Sequence, residues 1–244
     1  RFSQELVTPS EHVKEAILAN MKIKDAKHIW VIPEGVNYQI EKLVDQDLDI
    51  LPVLKKYGIP PNPYLIFIST IQPRKNLRSI VEALSILVRQ NKDFPLNLVV
   101  CGKLGWNYQD EILSPKKYGV EDRVFFTGRV PDSDLAGLLT HAFAFVSASF
   151  DEGFGLPVLE SMASGVTVIT SKNSPMEEIV QDGGLIVSPL DVQEISNAMY
   201  QIATDENLRI SLNLKSKIIS HQYHWDKTAQ ETGQLIEQML SQIN

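Results

Sequence analysis

Six short apolar runs that stop at Gly, Ser or Pro constrain the fold of this chain more than any other feature. Each run is rich in β-branched residues and continuously apolar, which is typical of strands buried on both faces of a parallel sheet. Longer amphipathic segments separate the runs, so their order predicts right-handed crossovers and a Rossmann-like, doubly wound α/β sheet of about six strands. The runs are LIFIST (65–70), NLVVCG (97–102), RVFFTG (123–128), FAFVSA (143–148), VTVITS (166–171) and GLIVSP (184–189).

The segments between the runs have the spacing of helices with one apolar stripe. In residues 76–90, apolar side chains recur at intervals of three and four, so one face can pack on the sheet. DVQE is a capping box, in which Asp191 accepts backbone N–H groups while Glu194 reaches back. TPSE (8–11) is another capping box, with Pro9 at the first helical position. Both motifs predict helix starts.

The two ends of the chain differ from this middle. ELV (5–7), a helix ending near Met21 and HIWVIPEGV (28–36) predict a strand–helix–strand fragment. Three elements cannot bury a parallel sheet alone, so we interpret them as the tail of a further domain. A charged connector (37–49) follows the fragment, and the last segment (225–240) has an apolar stripe that needs a surface to cover.

The composition excludes several classes of partner and site. Among 244 residues, 30 acidic and 23 basic side chains give a net charge of −7, which disfavours a nucleic-acid or anionic-membrane surface. We therefore expect small-molecule partners and at most peripheral membrane contact. Cys101 is the only cysteine, so disulfides within the chain and Cys-based zinc sites are excluded, and a cytoplasmic location is expected. No apolar run approaches the roughly 18–20 residues of a membrane span.

The loops at the carboxyl ends of the strands are the candidate sites, because ligands bind there in doubly wound sheets. After the first of the six runs, TIQPRKNL (70–77) places Arg74 and Lys75 just before a helix. Backbone N–H groups and the positive helix end attract anions, and the two cations suit a diphosphate. Two solvated basic residues are the alternative. Neither a P-loop nor GxGxxG follows this run, which disfavours P-loop nucleotide hydrolases and dinucleotide-dependent dehydrogenases.

The stretch FDEGFGLPVLESMASGVTVITS, after the fourth run, is the second candidate. Gly153 and Gly155 let backbone approach a ligand closely, and Pro157 in the first helical turn leaves the other N–H groups free for an anion. Glu152 and Glu160 flank that helix end, where carboxylates suit hydroxyl groups on either side of a phosphate. A sugar nucleotide has this order of sugar hydroxyls, diphosphate and ribose hydroxyls. The alternative is an exposed helix residue for Glu160 and a charge facing the helix dipole for Glu152.

The motifs at the ends of the runs form a recognisable set. They are PRKN (73–76), CGKLGW (101–106), EDRVFFTGRVPDSDL (121–135) and EGFGLPVLESMASGVTVITS (152–171). The set resembles the donor-binding domain of retaining glycosyltransferases of family four, which have the GT-B fold, and its two glutamates match that family's E-x7-E signature. Within the family, the PRKN, GKLGW and EGFGLPVLE motifs are most similar to those of bacterial mannosyltransferase-like enzymes of cell-surface polysaccharide synthesis.

The resemblance covers nearly the whole chain and implies three parts. Residues 1–40 would be the tail of the family's N-terminal acceptor domain with the inter-domain linker. Residues 41–222 would be the nucleotide-sugar donor-binding domain, the C-terminal half of a GT-B fold. Residues 223–244 would be a C-terminal helix that packs toward the N-terminal domain.

The resemblance also implies roles for single residues. Arg74 and Lys75 would clamp the diphosphate and stabilise the charge that develops on it as the glycosidic bond breaks. Glu152 would bind the transferred sugar, and Glu160 would bind the ribose hydroxyls. The remaining implied contacts are Gly153, Phe154, Gly155, Leu156 and Pro157 near the sugar and phosphates, and Lys103, Arg129 and Val130 near the base.

The implied reaction moves a mannose-like hexose from a GDP- or UDP-linked donor to a polysaccharide or lipid-linked acceptor, with retention and without a metal or other cofactor. The acceptor would bind through the family's N-terminal domain, so we expect this chain to bind nucleoside diphosphates but to transfer little sugar alone. The implied location is cytoplasmic, at the inner face of the membrane. Two alternatives stay open: a GT-B-fold nucleotide-sugar epimerase, and a non-catalytic nucleotide-sugar-binding module.

Four weaker patterns have structural explanations. DQDLD (45–49) has the D-x-D spacing of metal-dependent GT-A transferases, but in a polar connector it is better explained as solvated charge. PDSD (131–134) is interpreted as a helix N-cap. His221 and His224 lack further ligands nearby in sequence, so surface or inter-domain packing is favoured over zinc. Cys101, at the end of a strand, is expected in the core.

Overall fold

The fold is described by a computed structural model of the chain, which covers residues 5–21, 26–37 and 49–241. Within these residues, eight strands form two parallel sheets, a small one from the first two strands and a large one from the other six. Each of the six predicted runs is a strand, with boundaries within two residues of the prediction. The strands are β1 (Leu6–Thr8), β2 (Ile29–Val31), β3 (Tyr64–Ile68), β4 (Asn97–Cys101), β5 (Val124–Gly128), β6 (Ala144–Ser147), β7 (Thr167–Ser171) and β8 (Gly184–Val187).

The large sheet has the order β5-β4-β3-β6-β7-β8, and every neighbouring pair is parallel. The predicted doubly wound α/β sheet is therefore confirmed. The strand order runs outward in both directions from β3 and β6, so these neighbours form the topological switch point where such sheets bind ligands. Both faces of the sheet are buried: in β3, Leu65 and Phe67 pack into one apolar core and Ile66 packs into the other. This two-sided burial explains the continuously apolar runs.

Helices cover both faces of the sheet. The helix after the first strand of the large sheet carries the predicted apolar stripe, since Leu77, Ile80 and Leu84 are fully buried. No helix within the described residues is both long and apolar enough to cross a membrane. The helices are α1 (Glu11–Asn20), α2 (Leu51–Lys56), α3 (Leu77–Gln90), α4 (Gln109–Tyr118), α5 (Asp132–Thr140), α6 (Leu156–Ala163), α7 (Pro175–Val180), α8 (Val192–Thr204), α9 (Glu206–Ser220) and α10 (Trp225–Ser241).

The start of α1 differs from the prediction. The helix begins at Glu11 and not at Pro9, because Ser10 is the N-cap and its hydroxyl oxygen accepts the N–H of Val13 at 3.2 Å. Thr8 still belongs to β1, and its hydroxyl donates to the carbonyl of Ser10 at 3.2 Å. The predicted capping box from Thr8 is therefore wrong by two positions, although the helix itself is present.

The start of α8 is only partly as predicted. Asp191 is the N-cap, and its carboxylate accepts the N–H groups of Gln193 and Glu194, each at 3.0 Å. The carboxylate of Glu194 does not return to the N-cap but accepts the N–H of Ser188 at 3.0 Å. The N–H of Asp191 is already donated to the carbonyl of Ser188, so the second half of the capping box has no free donor there.

The first two strands and α1 form the predicted strand–helix–strand fragment, with β1 and β2 paired in parallel. The fragment contacts the end of the chain, because the hydroxyl of Thr228 in α10 donates to the carbonyl of Pro33 at 2.6 Å. Nearby, the N–H of Val36 donates to the carbonyl of Tyr223 at 3.2 Å. The predicted connector, apart from its first and last residues, lies outside the described residues. The division into domains therefore stays a prediction.

Candidate functional site

The loops after β3 and β6 meet at the carboxyl edge of the large sheet. The N–H of Phe150 donates to the carbonyl of Arg74 at 2.9 Å, and the side-chain amide of Asn76 donates to the carbonyl of Ala148 at 2.9 Å. Asn76 has a φ of 56°, a left-handed conformation that asparagine tolerates, so the chain turns sharply into α3. The two loops that the sequence marks as candidate sites therefore form one surface at the switch point.

Glu152 is the centre of an ion-pair cluster on this surface. The ammonium of Lys75 donates to its Oε1, and its Oε2 lies 3.4 Å from Nη1 of Arg74. The same nitrogen of Arg74 donates to the carbonyl of Asp151. The side chains of Glu152 and Lys75 are only 12% and 14% exposed, whereas that of Arg74 is 43% exposed. The three residues predicted as catalytic thus lie together, with the carboxylate between the two cations.

The start of α6 is uncapped by any side chain among the described residues. Gly155 is the N-cap, with a φ of 118°. A Cβ at this position would lie 2.7 Å from Cγ of Met176, so the turn requires glycine. Pro157 has no N–H, and the N–H of Val158 donates to the carbonyl of Gly155 at 2.9 Å, so the first-turn N–H without an acceptor among the described residues is that of Leu156. Such an uncapped helix end is suited to an anion.

A cleft of about 290 Å³ opens at this helix end. The ring of Phe154 is buried in its wall and meets the ring of Tyr223 edge to face, with centroids 6.1 Å apart. The N-terminal fragment contributes Pro9 and Glu34 to the same wall. The predicted sugar- and phosphate-binding residues that line the cleft are Lys75, Glu152, Gly153, Phe154, Gly155, Leu156 and Pro157.

The start of α3 lies at the same edge, but a protein side chain already caps it. Oε2 of Glu111, a buried residue on α4, accepts the N–H of Arg78 at 2.7 Å. Burial raises the pKa of the Glu111 carboxyl, and the hydrogen bond and charge of Arg78 offset only part of that rise. The anion expected at the helix that follows Arg74 and Lys75 is therefore supplied by the protein itself. No local pattern indicates this cap, because Glu111 lies 33 positions beyond Arg78.

Glu160 lies on α6, one turn beyond the start of the helix. Its side chain is half-buried and accepts no hydrogen bond from any residue that the structure describes. Burial, with a smaller contribution from the negative charge of Asp132, raises the pKa of Glu160 to about 7. Glu160 is therefore not the fully exposed helix residue of the alternative interpretation.

A second cavity, of about 370 Å³, lies beside the first. Ile68 and Ser69, at the end of β3, line both cavities, so the two are neighbours. Lys103, Arg129 and Val130, which the resemblance places near the base, all line the second cavity. Two predicted ligand residues, Arg74 and Glu160, line neither cavity, and the others separate into a sugar and phosphate group and a base group around adjoining spaces.

The start of α1 has contacts near the site that the sequence did not reveal. The hydroxyl of Ser10 donates to the carbonyl of Gly153 at 3.2 Å. The carboxylate of Glu178, on α7, accepts the N–H groups of Glu11 at 3.1 Å and His12 at 2.7 Å. These partners are separated by 143 to 167 positions, so no local pattern could have indicated them.

The weaker acidic patterns have different outcomes. Residues 45–48 of the D-x-D pattern lie outside the described residues. PDSD does mark the start of α5, but Pro131 is the N-cap and no described side chain caps the helix, so the predicted capping role is wrong. Asp134 instead accepts hydrogen bonds from the ammonium of Lys56 at 2.6 Å and the hydroxyl of Tyr57 at 2.8 Å.

The histidine pair and the cysteine of the sequence analysis have no described metal site around them. His221 and His224 are exposed, with ring centroids 6.3 Å apart. Within residues 5–21, 26–37 and 49–241, no three His, Cys, Asp or Glu side chains are grouped so as to hold a metal ion. Cys101 is buried, as predicted, and burial raises the pKa of its thiol to about 11.

Comparison with known proteins agrees with the motifs. The family model described as "Glycosyl transferases group 1" matches residues 53–218. The chain belongs to the group 1 glycosyl transferases. It is 35% identical, over 187 residues, to O-antigen chain mannosyltransferase B of Escherichia coli, a match that covers 75% of this chain and 48% of that protein. The resemblance to mannosyltransferase-like glycosyltransferases is thus confirmed, and the chain spans about half the length of this relative.

Two solved structures share the fold of this group 1 glycosyl transferase. A glycosyltransferase from Rickettsia africae superposes with a TM-score of 0.86 at 20% identity, over 97% of this chain and 64% of that one. Anabaena Alr3699/HepE in complex with UDP-glucose superposes with a TM-score of 0.84 at 20% identity, over 98% of this chain and 65% of that one. The predicted GT-B type of α/β architecture is therefore confirmed.

Proposed function

We propose that this chain holds the nucleotide-sugar donor of a retaining glycosyltransferase that moves a mannose-like hexose to a polysaccharide or lipid-linked acceptor. One observation carries the proposal: the uncapped start of α6 opens into a cleft beside the pair of Lys75 and Glu152. Groups that bind anions and a group that binds hydroxyls thus lie side by side. The relatives support transfer over the epimerase and the non-catalytic module, since one of them is named a mannosyltransferase; the structural neighbour that holds UDP-glucose supports donor binding alone.

In this proposal, Lys75 and Arg74 neutralise the diphosphate, together with the N–H of Leu156 at the start of α6, and no metal ion is required. The charge on the diphosphate grows as the glycosidic bond breaks, so cations held in place beforehand stabilise the transition state. Each preorganised donor of this kind contributes roughly 3–4 kcal/mol in comparable sites. Lys75 is the better preorganised of the two cations, because its side chain is largely buried and paired, whereas Arg74 is exposed.

The hydroxyl groups of the donor are assigned to the two glutamates. Glu152, in the wall of the cleft, binds the transferred sugar, and Glu160, farther along α6, binds the ribose. Arg129 and Val130 hold the base in the second cavity, largely through backbone groups, and Lys103 lines the same cavity. The acceptor approaches from the side to which the N-terminal fragment contributes. We place the whole enzyme in the cytoplasm, at the inner face of the membrane.

A thermal-shift panel with GDP, UDP, ADP and their sugars tests donor binding. A ligand present at a hundred times its Kd adds about 2.7 kcal/mol to the free energy of unfolding, so the Tm should rise with the matching nucleotide. Lys75→Ala should remove most of that rise. The control Lys116→Ala removes an exposed lysine from the last turn of α4 and should leave the rise unchanged. Donor binding is contradicted if no nucleotide raises the Tm.

Glu160→Ala tests the ribose assignment. The ribose is common to every nucleotide in the panel. The substitution should therefore weaken the binding of the bare diphosphate and of the sugar-linked donor by the same factor. Isothermal titration with both ligands measures the two Kd values. A loss confined to the sugar-linked donor would contradict the assignment.

A further inference from the structure

The carboxylate of Glu152 forms ion pairs with both Lys75 and Arg74, the cations that the proposed function assigns to the diphosphate. Its carboxylate oxygens are divided between them, Oε1 to Lys75 and Oε2 to Arg74. The pair with Lys75 is largely withdrawn from water on both sides, so solvent screens it less than an ordinary surface ion pair. The cation pair therefore already has an internal counter-ion.

The geometry of the cluster lets Glu152 remain in place when a diphosphate binds. A lysine ammonium has three donors, and the carboxylate uses one of them. The guanidinium of Arg74 has five, of which Nη1 faces Glu152 and the carbonyl of Asp151. Donors thus remain for phosphate oxygens, and the bound phosphates would lie next to a negative carboxylate.

This carboxylate affects the donor and the spent nucleoside diphosphate differently. In the sugar-linked donor, the terminal phosphate is esterified, and the neighbouring hydroxyl groups of the sugar can donate to a carboxylate. In the free diphosphate, the terminal phosphate has a second ionisable oxygen, with a pKa near 6, and so carries about one more negative charge at neutral pH. The cluster of two cations and one carboxylate has a net charge of only +1, so it balances little of the additional negative charge of the free diphosphate.

We propose that Glu152 discriminates between the sugar-linked donor and the free nucleoside diphosphate: it accepts hydrogen bonds from the sugar, and it repels the additional charge of the free terminal phosphate while partly neutralising Lys75 and Arg74. This inference rests on the proposed function. It makes Glu152 a group that limits retention of the spent diphosphate, in addition to a group that binds the sugar. Removing its charge should therefore tighten the binding of the free diphosphate, which a residue that only binds sugar would not do.

Titration calorimetry of Glu152→Gln at pH 8 and low salt tests the inference, with inorganic pyrophosphate, the matching nucleoside diphosphate and its sugar as ligands. The charge removed is comparable to one partly screened ion pair, so the free diphosphate should bind about fivefold tighter. Pyrophosphate should also bind more tightly to the variant, by a similar factor. The sugar-linked donor should bind to the variant no more tightly than it binds to the wild-type chain. Asp151→Asn is the matched control, since it removes an adjacent exposed carboxylate and keeps the carbonyl that binds Arg74.

The outcomes separate the inference from the proposed function. If the wild-type chain binds nucleotides but Glu152→Gln binds the free diphosphate no tighter, only the inference is overturned. Equal tightening for donor and free diphosphate would also overturn it, because a general gain in positive charge would then explain both. If neither nucleotide nor pyrophosphate binds to the wild type or the variant, both proposals fail. In the expected case the gain shrinks in 1 M salt, where the Debye length is about 3 Å.

Discussion

The helices α3 and α6 start at the same edge of the sheet, but only α6 offers its N-terminus to a ligand. In α3, the buried carboxylate of Glu111 accepts the N–H of Arg78. In α6, the N-cap is Gly155, and no described side chain accepts from the first turn. Both helices follow loops that the sequence marks as anion sites. A basic loop before a helix therefore does not define an anion site unless the helix end is also free.

The start of α1 provides a third case for this comparison. Ser10 and the carboxylate of Glu178 together accept three N–H groups of its first turn. Glu178 is exposed, whereas Glu111 is buried, so the two carboxylate caps differ in how strongly water screens them. Substitutions at the three helix starts can therefore show which end binds a ligand and which ends only stabilise the fold.

Gly155→Ala should have the largest effect. The added Cβ meets the side chain of Met176, and a φ of 118° is strained for alanine, so we expect a loss of about 2–5 kcal/mol in the free energy of unfolding. The nucleotide-induced rise in Tm should disappear as well. For stability alone, the matched control is Gly153→Ala, where a Cβ has nothing within 4 Å and the free energy of unfolding should change by less than about 0.5 kcal/mol. Urea unfolding and the thermal-shift panel measure both effects, and a preserved nucleotide shift in Gly155→Ala would place the phosphates elsewhere.

Glu160 should make the stability of the chain depend on pH. Its pKa is about 7 in the folded chain against 4.5 in the unfolded one, so the folded state binds the proton more tightly between these values. Stability should therefore fall by about 3 kcal/mol as the pH rises from about 4.5 to about 7, and then level off. Glu160→Gln should lack this fall. Urea unfolding at a series of pH values compares the wild type with this variant. Asp132→Asn should move the fall in stability to lower pH, because the charge of Asp132 contributes to the raised pKa of Glu160.

The free energies of unfolding of wild type and Glu160→Gln should differ by an amount that changes with pH. A difference that stays constant across this pH range would contradict the burial of the Glu160 carboxyl. The result bears on the comparison of helix ends, because the positive end of α6 favours a charged carboxylate while burial disfavours it. The predicted direction requires burial to be the larger effect one turn into the helix.

Glu111→Ala should destabilise the chain without affecting nucleotide binding. It leaves the N–H of Arg78 without its partner, which costs about 1–3 kcal/mol in the free energy of unfolding. Glu111→Gln keeps an acceptor oxygen and should recover most of that loss. Urea unfolding gives the stability, and titration calorimetry gives the Kd. A tenfold weaker Kd in a folded Glu111→Ala variant would show that the start of α3 belongs to the site.

Glu178→Ala should have the smallest effect. The cap is exposed, so its loss should lower the free energy of unfolding by about 0.3–1 kcal/mol. The difference from wild type should shrink further at high salt, because solvent ions screen an exposed charge. Urea unfolding at low and high salt measures it. An effect as large as that of Glu111→Ala would mean that α1 is held to α7 more firmly than an exposed contact allows.

The regular elements could be predicted because their signals are local. Continuous apolar runs identified all six strands of the large sheet, and a three-and-four spacing identified the buried stripe of α3. The sequence also placed Arg74, Lys75 and Glu152 at one edge, since the carboxyl ends of parallel strands lie together. The predicted caps at Thr8 and in PDSD were wrong, because the backbone path makes Ser10 the N-cap of α1 and makes Pro131, whose side chain has no acceptor, the N-cap of α5.

By itself, the sequence determined the doubly wound α/β fold class, the edge that carries the site and the family to which the chain belongs. These follow from patterns that repeat over a few residues or from motifs read as a set. Only the tertiary structure decided which helix end is free, how far Glu160 is buried, and that Glu152 lies between Lys75 and Arg74. Those properties depend on partners 28 to 78 positions apart, and contacts at such separations are set by packing of the whole domain.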